Sequence, residues 1–316
     1  MNLIPESPVA QMVELARTAE GLGFERCWIY DEGLATRDVY VTMAAIAGAT
    51  DTLRIGPGIT NPYTRHVATT AAAVASVDEL SGGRAFLGIG AGGSLTLDPL
   101  GLARTRPLAA VGGAIDACRA LFAGGPVDVD TPQLTLSGAR LGYGRPDTEI
   151  WLAGRGPRML ALGGAKCDGV MLDFIHKPDL AHTVALVRQA APRGSRPQIS
   201  YSTMVVTDQA AMATTKQHMT YRLVDSPASV RKAIGLSDDE ADRIRAAMGD
   251  GLAAAAEHVR EEWVLPFVIS GSVESCADEL ERLTRTHEVD EFLLPVFDPE
   301  SGPALMATVA QVAGVS

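Results

Sequence analysis

The sequence predicts an α/β chain closed into a (β/α)8 barrel, with a shortened first strand and a helical insertion late in the chain. Three observations carry this. Short runs of β-branched and aliphatic residues alternate strictly with amphipathic helical stretches, which implies a parallel sheet. Seven or eight such units follow one another, a number that suits a closed barrel better than an open doubly wound sheet. No fixed-period repeat or low-complexity linker divides the 316 residues, and barrels of roughly 250 residues or more routinely form one domain. One domain over 1–316 is therefore expected, with the insertion at about 208–262.

Each element rests on local pattern. Asn2-Leu3-Ile4 suffices only for the end of a strand, so strand 1 is short or the natural start lies upstream. Val9, Met12, Val13, Leu15, Ala16 and Ala19 recur at helical spacing, Gly21-Leu22-Gly23 stops the helix, and Cys27–Tyr30 reads as a buried strand. Helix 39–49 leads into strand Leu53–Gly56, and helix 67–80 leads through Ser81-Gly82-Gly83 into strand Ala85–Ile89. Helix 107–122 precedes a Gly/Pro-rich excursion at 124–147 with room for a short hairpin. Alternation resumes with strand Ile150–Leu152, helix 157–165, strand Gly169–Leu172, helix 178–190 and strand Ile199–Val206. After the insertion come strand Pro266–Ser270, helix 273–286, strand Glu291–Val296 and helix 303–313.

Composition narrows the partners. Apolar residues are 47%, charged residues 21% and aromatics only 5%, so the core is expected to consist of Val, Leu, Ile and Ala. A formal charge of −11 argues against non-specific nucleic-acid binding, whose affinity comes from Lys and Arg neutralising phosphates. It leaves room for an anionic cofactor, because backbone N–H groups hold phosphate without side-chain charge. The four cysteines share no metal spacing and read as free thiols of a reducing compartment. With no secretion signal and no apolar run of 18 residues, a cytoplasmic chain without membrane contact is expected.

In a barrel, chemistry gathers at the C-terminal ends of the strands. Four such ends stand out: Asp31-Glu32, the run 56–66 (GPGITNPYTRH), the run 88–94 (GIGAGGS), and Ala153-Gly154-Arg155-Gly156-Pro157. Three are rich in glycine, where bare backbone lets a flat ligand approach closely. Each has a plainer reading. Asp31 and Glu32 can be a solvated loop or a cap, His66 a helix start or a pocket wall, and Arg65 a surface ion-pair partner. The run 153–157 can be an ordinary turn, although Pro157 at a helix start behind free N–H groups suits a phosphate. A dinucleotide-loop reading of Gly88-x-Gly90-x-Gly92 fails because no helix is expected there, with Pro99 and Pro107 breaking the stretch beyond it. Hydrolytic, zinc and P-loop signatures do not occur.

Segment 56–94, GPGITNPYTRHVATTAAAVASVDELSGGRAFLGIGAGGS, resembles the bacterial luciferase-like superfamily. The closest branch is that of deazaflavin-dependent enzymes similar to methylenetetrahydromethanopterin reductase. Segments 19–32, 152–172 and 267–283 extend the resemblance over nearly the whole chain, and 208–262 falls where the superfamily varies. The resemblance implies a (β/α)8 barrel, a non-prolyl cis peptide between Gly58 and Ile59 behind the cofactor ring, Thr60 and Asn61 near that ring, and Gly90 and Gly92 beside it. It implies a phosphate loop from Ala153, Gly154, Arg155 and Gly156. The sequence also departs from the family pattern. Asp31-Glu32 stands where many members have Asp-His, Gly93 takes an acidic position, and a strand-1 carboxylate is matched by Asn2.

The resulting expectation is an oxidoreductase that moves a hydride between C5 of coenzyme F420 and a small organic substrate. Asp31 or Glu32 would act as proton donor or base, with pKa tuned by burial. FMN-dependent monooxygenase chemistry is the alternative, and a non-catalytic barrel that binds a flavin-like ligand is the second. No metal is expected. A homodimer is expected through the alanine-rich helices 39–49 and 67–80, with Ala71 and Ala75 on the shared face.

Overall fold

The computed structural model describes residues 1–314. Its barrel strands are β1 (Asn2–Leu3), β2 (Arg26–Ile29), β3 (Arg54–Pro57), β4 (Leu87–Gly90), β5 (Ile150–Ala153), β6 (Gly169–Asp173), β7 (Gln198–Ser202) and β8, the last in two pieces, Glu291–Leu293 and Pro295–Val296. All neighbours pair in parallel. Glu291–Leu293 lies against β7, while Pro295 and Val296 pair with Asn2 and Leu3, so β8 closes the barrel onto a two-residue β1. Between β3 and β4 only the bridges Ile55↔Ala85 and Thr60↔Ile89 remain. The Gly58–Ile59 peptide between them is cis.

Eight helices cover the outside: α1 (Val9–Gly21), α2 (Val39–Ala47), α3 (Val67–Ser81), α4 (Pro107–Phe122), α5 (Pro157–Lys166), α6 (Leu180–Ala190), α7 (Val273–His287) and α8 (Gly302–Val312). Local chemistry sets their ends. Asp38 accepts from the N–H groups of Tyr40 and Val41 to start α2, and Ser272 accepts from Ser275 N–H to start α7. Proline opens α4 and α5, where its missing N–H costs nothing. Gly82, at φ 70°, ends α3. The excursion 124–147 does hold an antiparallel hairpin, Val127–Thr131 with Leu134–Ala139.

Two layers of core result. Between strands and helices the packing is mostly aliphatic, as composition implies, with Phe122 and Tyr201 among the exceptions. Inside the barrel it is not: Trp28, Phe86 and Trp151 fill the axis, with Trp28 edge-on to both at 4.5 and 5.5 Å. Few aromatics suffice because the strands beside them carry glycine. A Cβ on Gly56 would lie 2.4 Å from the Phe86 ring, and one on Gly169 2.4 Å from the Trp151 ring.

The insertion folds mainly as helices, from Gln209–Val224 to Glu261–Val264. Met212, Met219, Leu223 and Trp263 form a core of its own there. Its stem is a parallel strand pair, Val205–Val206 with Ile269–Ser270. Among the described residues, no helix is long and apolar enough to cross a membrane.

Two expectations need correction. The run after β4 does contain a helix, the single turn Ser94–Leu97, although it is too short to build a dinucleotide site. Ala71 and Ala75 are 0% and 1% exposed within one subunit, so they pack against the barrel and cannot form a shared face.

Candidate active site

A cleft of about 440 Å³ opens where the strands end. Gly58, Ile59 and Asn61 line it from the β3 loop, Gly92 and Gly93 from the β4 loop, and Ala153, Gly154 and Arg155 from the end of β5, with Asp31, Glu32, Asn2 and Met171 among the rest of the wall. Gly92 has φ +69°, and a Cβ on it would lie 3.3 Å from Asn61, so a side chain there would be strained and crowded. A Cβ on Gly93, by contrast, would meet nothing within 4 Å among the described residues.

Three residues expected at the cofactor are not among those lining the cleft. Thr60 is fully buried and donates its hydroxyl to Asp31 Oδ2 at 2.7 Å, which places it behind the acid. Gly90 lies under Ile59, where a Cβ would stand 2.1 Å from Ile59 Cδ1. Gly156 is the N-cap residue of α5, next in the chain to Arg155 of the lining. His66 is structural as well: its Nδ1 accepts from Ala68 N–H at the start of α3. Arg65 is half-buried, its guanidinium carbon 4.6 Å from the centre of the Tyr40 ring and its Nη1 3.9 Å from Asp38.

The two acids of the β2 end both face the cleft. Burial raises both carboxyls above their ordinary values; the hydroxyls of Thr60 and Thr96 oppose this, and the mutual charge of the pair adds to it for Glu32. Thr96, from the turn after β4, donates to Glu32 Oε2 at 2.5 Å. Two buried amide atoms at the same cleft have no hydrogen-bond partner among the described residues, Asn2 Oδ1 and Asn61 Nδ2. Asn61 is fixed by its other atom, because Oδ1 accepts from the N–H groups of Tyr63 and Thr64 at 2.9 and 3.0 Å. A buried polar group without a partner costs about 1–3 kcal/mol, so these two atoms mark where a polar ligand edge fits.

A second chamber of about 400 Å³ adjoins the first and shares Tyr30, Glu32, Arg155 and Arg222 with it. His218 and Tyr221 of the insertion helix Gln209–Val224 form one wall, and Phe297 another, its ring stacked on His218 at 3.7 Å. Burial, helped by the charge of Arg222, holds the His218 imidazole down at about 4, so it is neutral at pH 7. Sequence reasoning missed Asp173, although the acid ending Gly169–Asp173 gives the same strand-end signal as Asp31. It also missed His218 and Arg222, which no strand-end rule covers.

A parallel barrel with acids, bare glycine loops and a two-part cleft at its strand ends has the layout of a cofactor-dependent barrel enzyme. The chain matches the luciferase-like monooxygenase family over residues 2–287 and belongs to it. It is 36% identical over 196 residues to a 5,10-methylenetetrahydromethanopterin reductase of Methanolobus tindarius, an overlap of 62% of this chain and 60% of that protein. To the Archaeoglobus fulgidus protein of the same name it is 29% identical over 297 residues, covering 90% and 89% of the two chains. The solved coenzyme F420 dependent tetrahydromethanopterin reductase of Methanopyrus kandleri superposes with a TM-score of 0.89 at 24% identity, over 100% of this chain and 98% of that one. That likeness speaks for the fold.

Proposed function

We propose that this chain is an F420-dependent oxidoreductase that exchanges a hydride with a small organic substrate held in the second chamber. The relatives named as reductases support this reading, and one observation carries it: Glu32 borders both cavities, held by Thr96 and kept toward its protonated form by burial. Bound in the first cleft, the deazaflavin supplies the hydride at C5. The unpartnered Asn2 Oδ1 and Asn61 Nδ2 fit a polar ring edge. Ala153, Gly154 and Arg155, at the start of α5, fit a phosphate. Glu32 holds the proton for the substrate atom beside the acceptor carbon. Asp31, which borders only the first cleft, tunes that proton by its charge. The barrel and its insertion act as one domain, and the chain positions and polarises while the carrier does the chemistry.

Titration of the purified protein with F420 and with FMN, followed by cofactor fluorescence, tests the assignment. F420 is expected to bind in the micromolar range and FMN more weakly. Tighter FMN binding with oxygen-dependent turnover would move the chain to flavin monooxygenase chemistry. Failure to bind either removes the enzyme reading. We also propose a homodimer through the exposed sides of α2 and α3, where Val41 and Leu80 stand 60% and 56% exposed. Light scattering that finds a monomer removes it.

A further inference from the structure

Asp173 ends β6 between two guanidinium groups that belong to different parts of the molecule. Its Oδ1 is anchored to the barrel wall by the buried Ser202 hydroxyl at 3.1 Å. Its Oδ2 is shared: Arg155 Nη2, from the loop after β5, lies 3.6 Å away, and Arg222 Nη2, from the insertion helix, 3.4 Å away. Neither contact is a tight charge-assisted hydrogen bond, which runs at about 2.7–2.9 Å. Arg222 is otherwise committed. Its guanidinium lies 3.9 Å over the Phe174 ring, its Nη1 donates to His218 O, and its Nε is buried without a partner. Arg155 has no such seat, and its side chain is 46% exposed.

We infer that Asp173 is a positioning residue that ties occupancy of the 153–156 loop to the shape of the second chamber. The inference rests on the reading of that loop as an anion site. Two like-charged groups compete for one carboxylate oxygen, and an anion on the loop offers Arg155 a better partner. Arg155 then leaves Asp173 wholly to Arg222, whose contact shortens. Arg222 carries the last turns of the insertion helix, and with them His218 and Tyr221, the wall of the second chamber. Cofactor bound first therefore builds the substrate wall, and by linkage a bound substrate tightens cofactor to the same extent.

Hydrogen exchange of the full chain, read by mass spectrometry over 215–224 with and without F420, tests this. In the wild type, F420 is expected to slow exchange there at least tenfold. Asp173→Asn should bind F420 and show no such slowing, while Asp173→Glu restores part of it. Arg155→Ala should show slowed exchange already without ligand, because Arg222 then has the carboxylate to itself. A merely structural Asp173 would give no such opposite effect. Unchanged 215–224 exchange in wild type that demonstrably binds F420 overturns the inference. So does Arg155→Ala exchanging at the ligand-free wild-type rate, an arm that needs no cofactor. Failure of the wild type to bind F420 would instead strike the functional reading.

Discussion

Two glutamates at opposite ends of the barrel have opposite surroundings. Glu149, before β5 at the N-terminal end, sits among Arg26, Arg54 and the Trp151 indole N–H, at 3.2, 2.8 and 2.8 Å. Burial pushes its carboxyl up, but the donors and charges outweigh burial, and it ends below the ordinary value. Glu32, after β2 at the C-terminal end, has one hydroxyl donor and an acidic neighbour; burial prevails and the carboxyl is raised. The bottom cluster is closed. Arg26 is paired with Glu149 and Glu291, and its guanidinium carbon lies 4.7 Å from the centre of the Trp151 ring. At the top, polar atoms are left unpaired. One fold thus separates an end that holds the barrel together from an end kept available for chemistry.

The largest effect expected from this contrast lies at the bottom. Arg26→Ala leaves Glu291 without a cation among the described residues and Glu149 with Arg54 alone, and should cost about 3–5 kcal/mol in urea unfolding, as for a broken buried ion pair. Protein that still folds should bind F420 with unchanged affinity. A loss under 1 kcal/mol would show that the cluster is not structural. At the top, Glu32→Gln should lower kcat about 100-fold, near 2.7 kcal/mol of barrier, with little change in cofactor Kd. Asp31→Asn should cost about tenfold, less than a full general acid. Equal losses would make the two acids interchangeable.

The fold and the upper half of this contrast are legible in the sequence; the ion cluster at the lower end is not. Period and punctuation gave every barrel strand and helix to within a few residues, because Gly82, Pro107 and Pro157 mark their ends by covalent geometry. Asp31, Glu32 and the bare glycine loops follow from the rule of strand ends. The aromatic axis was hidden, since the Trp28–Phe86–Trp151 cluster depends on which glycines face which rings across strands distant in sequence. The resemblance sets Thr60 and Gly90 beside the ring, but it locates loops and not the packing within them: the Thr60 hydroxyl turns to Asp31, and Ile59 lies against Gly90. Arg222 and His218 reach the site only through tertiary packing of the insertion.

Smaller effects sharpen the comparison. Thr96→Val removes the hydroxyl that favours ionised Glu32, so its carboxyl rises further and the alkaline fall of kcat shifts to higher pH. An unmoved profile would separate Glu32 from the proton step. Carboxyls raised in the fold contribute stability that is present at low pH and lost as pH rises through their folded values. Asp31→Asn should therefore raise Tm at pH 7, a gain that shrinks toward pH 3. A Tm gain that persists at pH 3 would assign it to packing.

The contrast itself can be read directly. In protein with 13C-labelled glutamate side chains, NMR titration assigned through Glu32→Gln and Glu149→Gln follows the two carboxyls in one sample. Glu32 should titrate above an exposed glutamate and Glu149 below it, with F420 binding perturbing the first and leaving the second unmoved. Coincident titrations, or Glu149 above Glu32, would contradict the division of this barrel into a neutralised end and a working end.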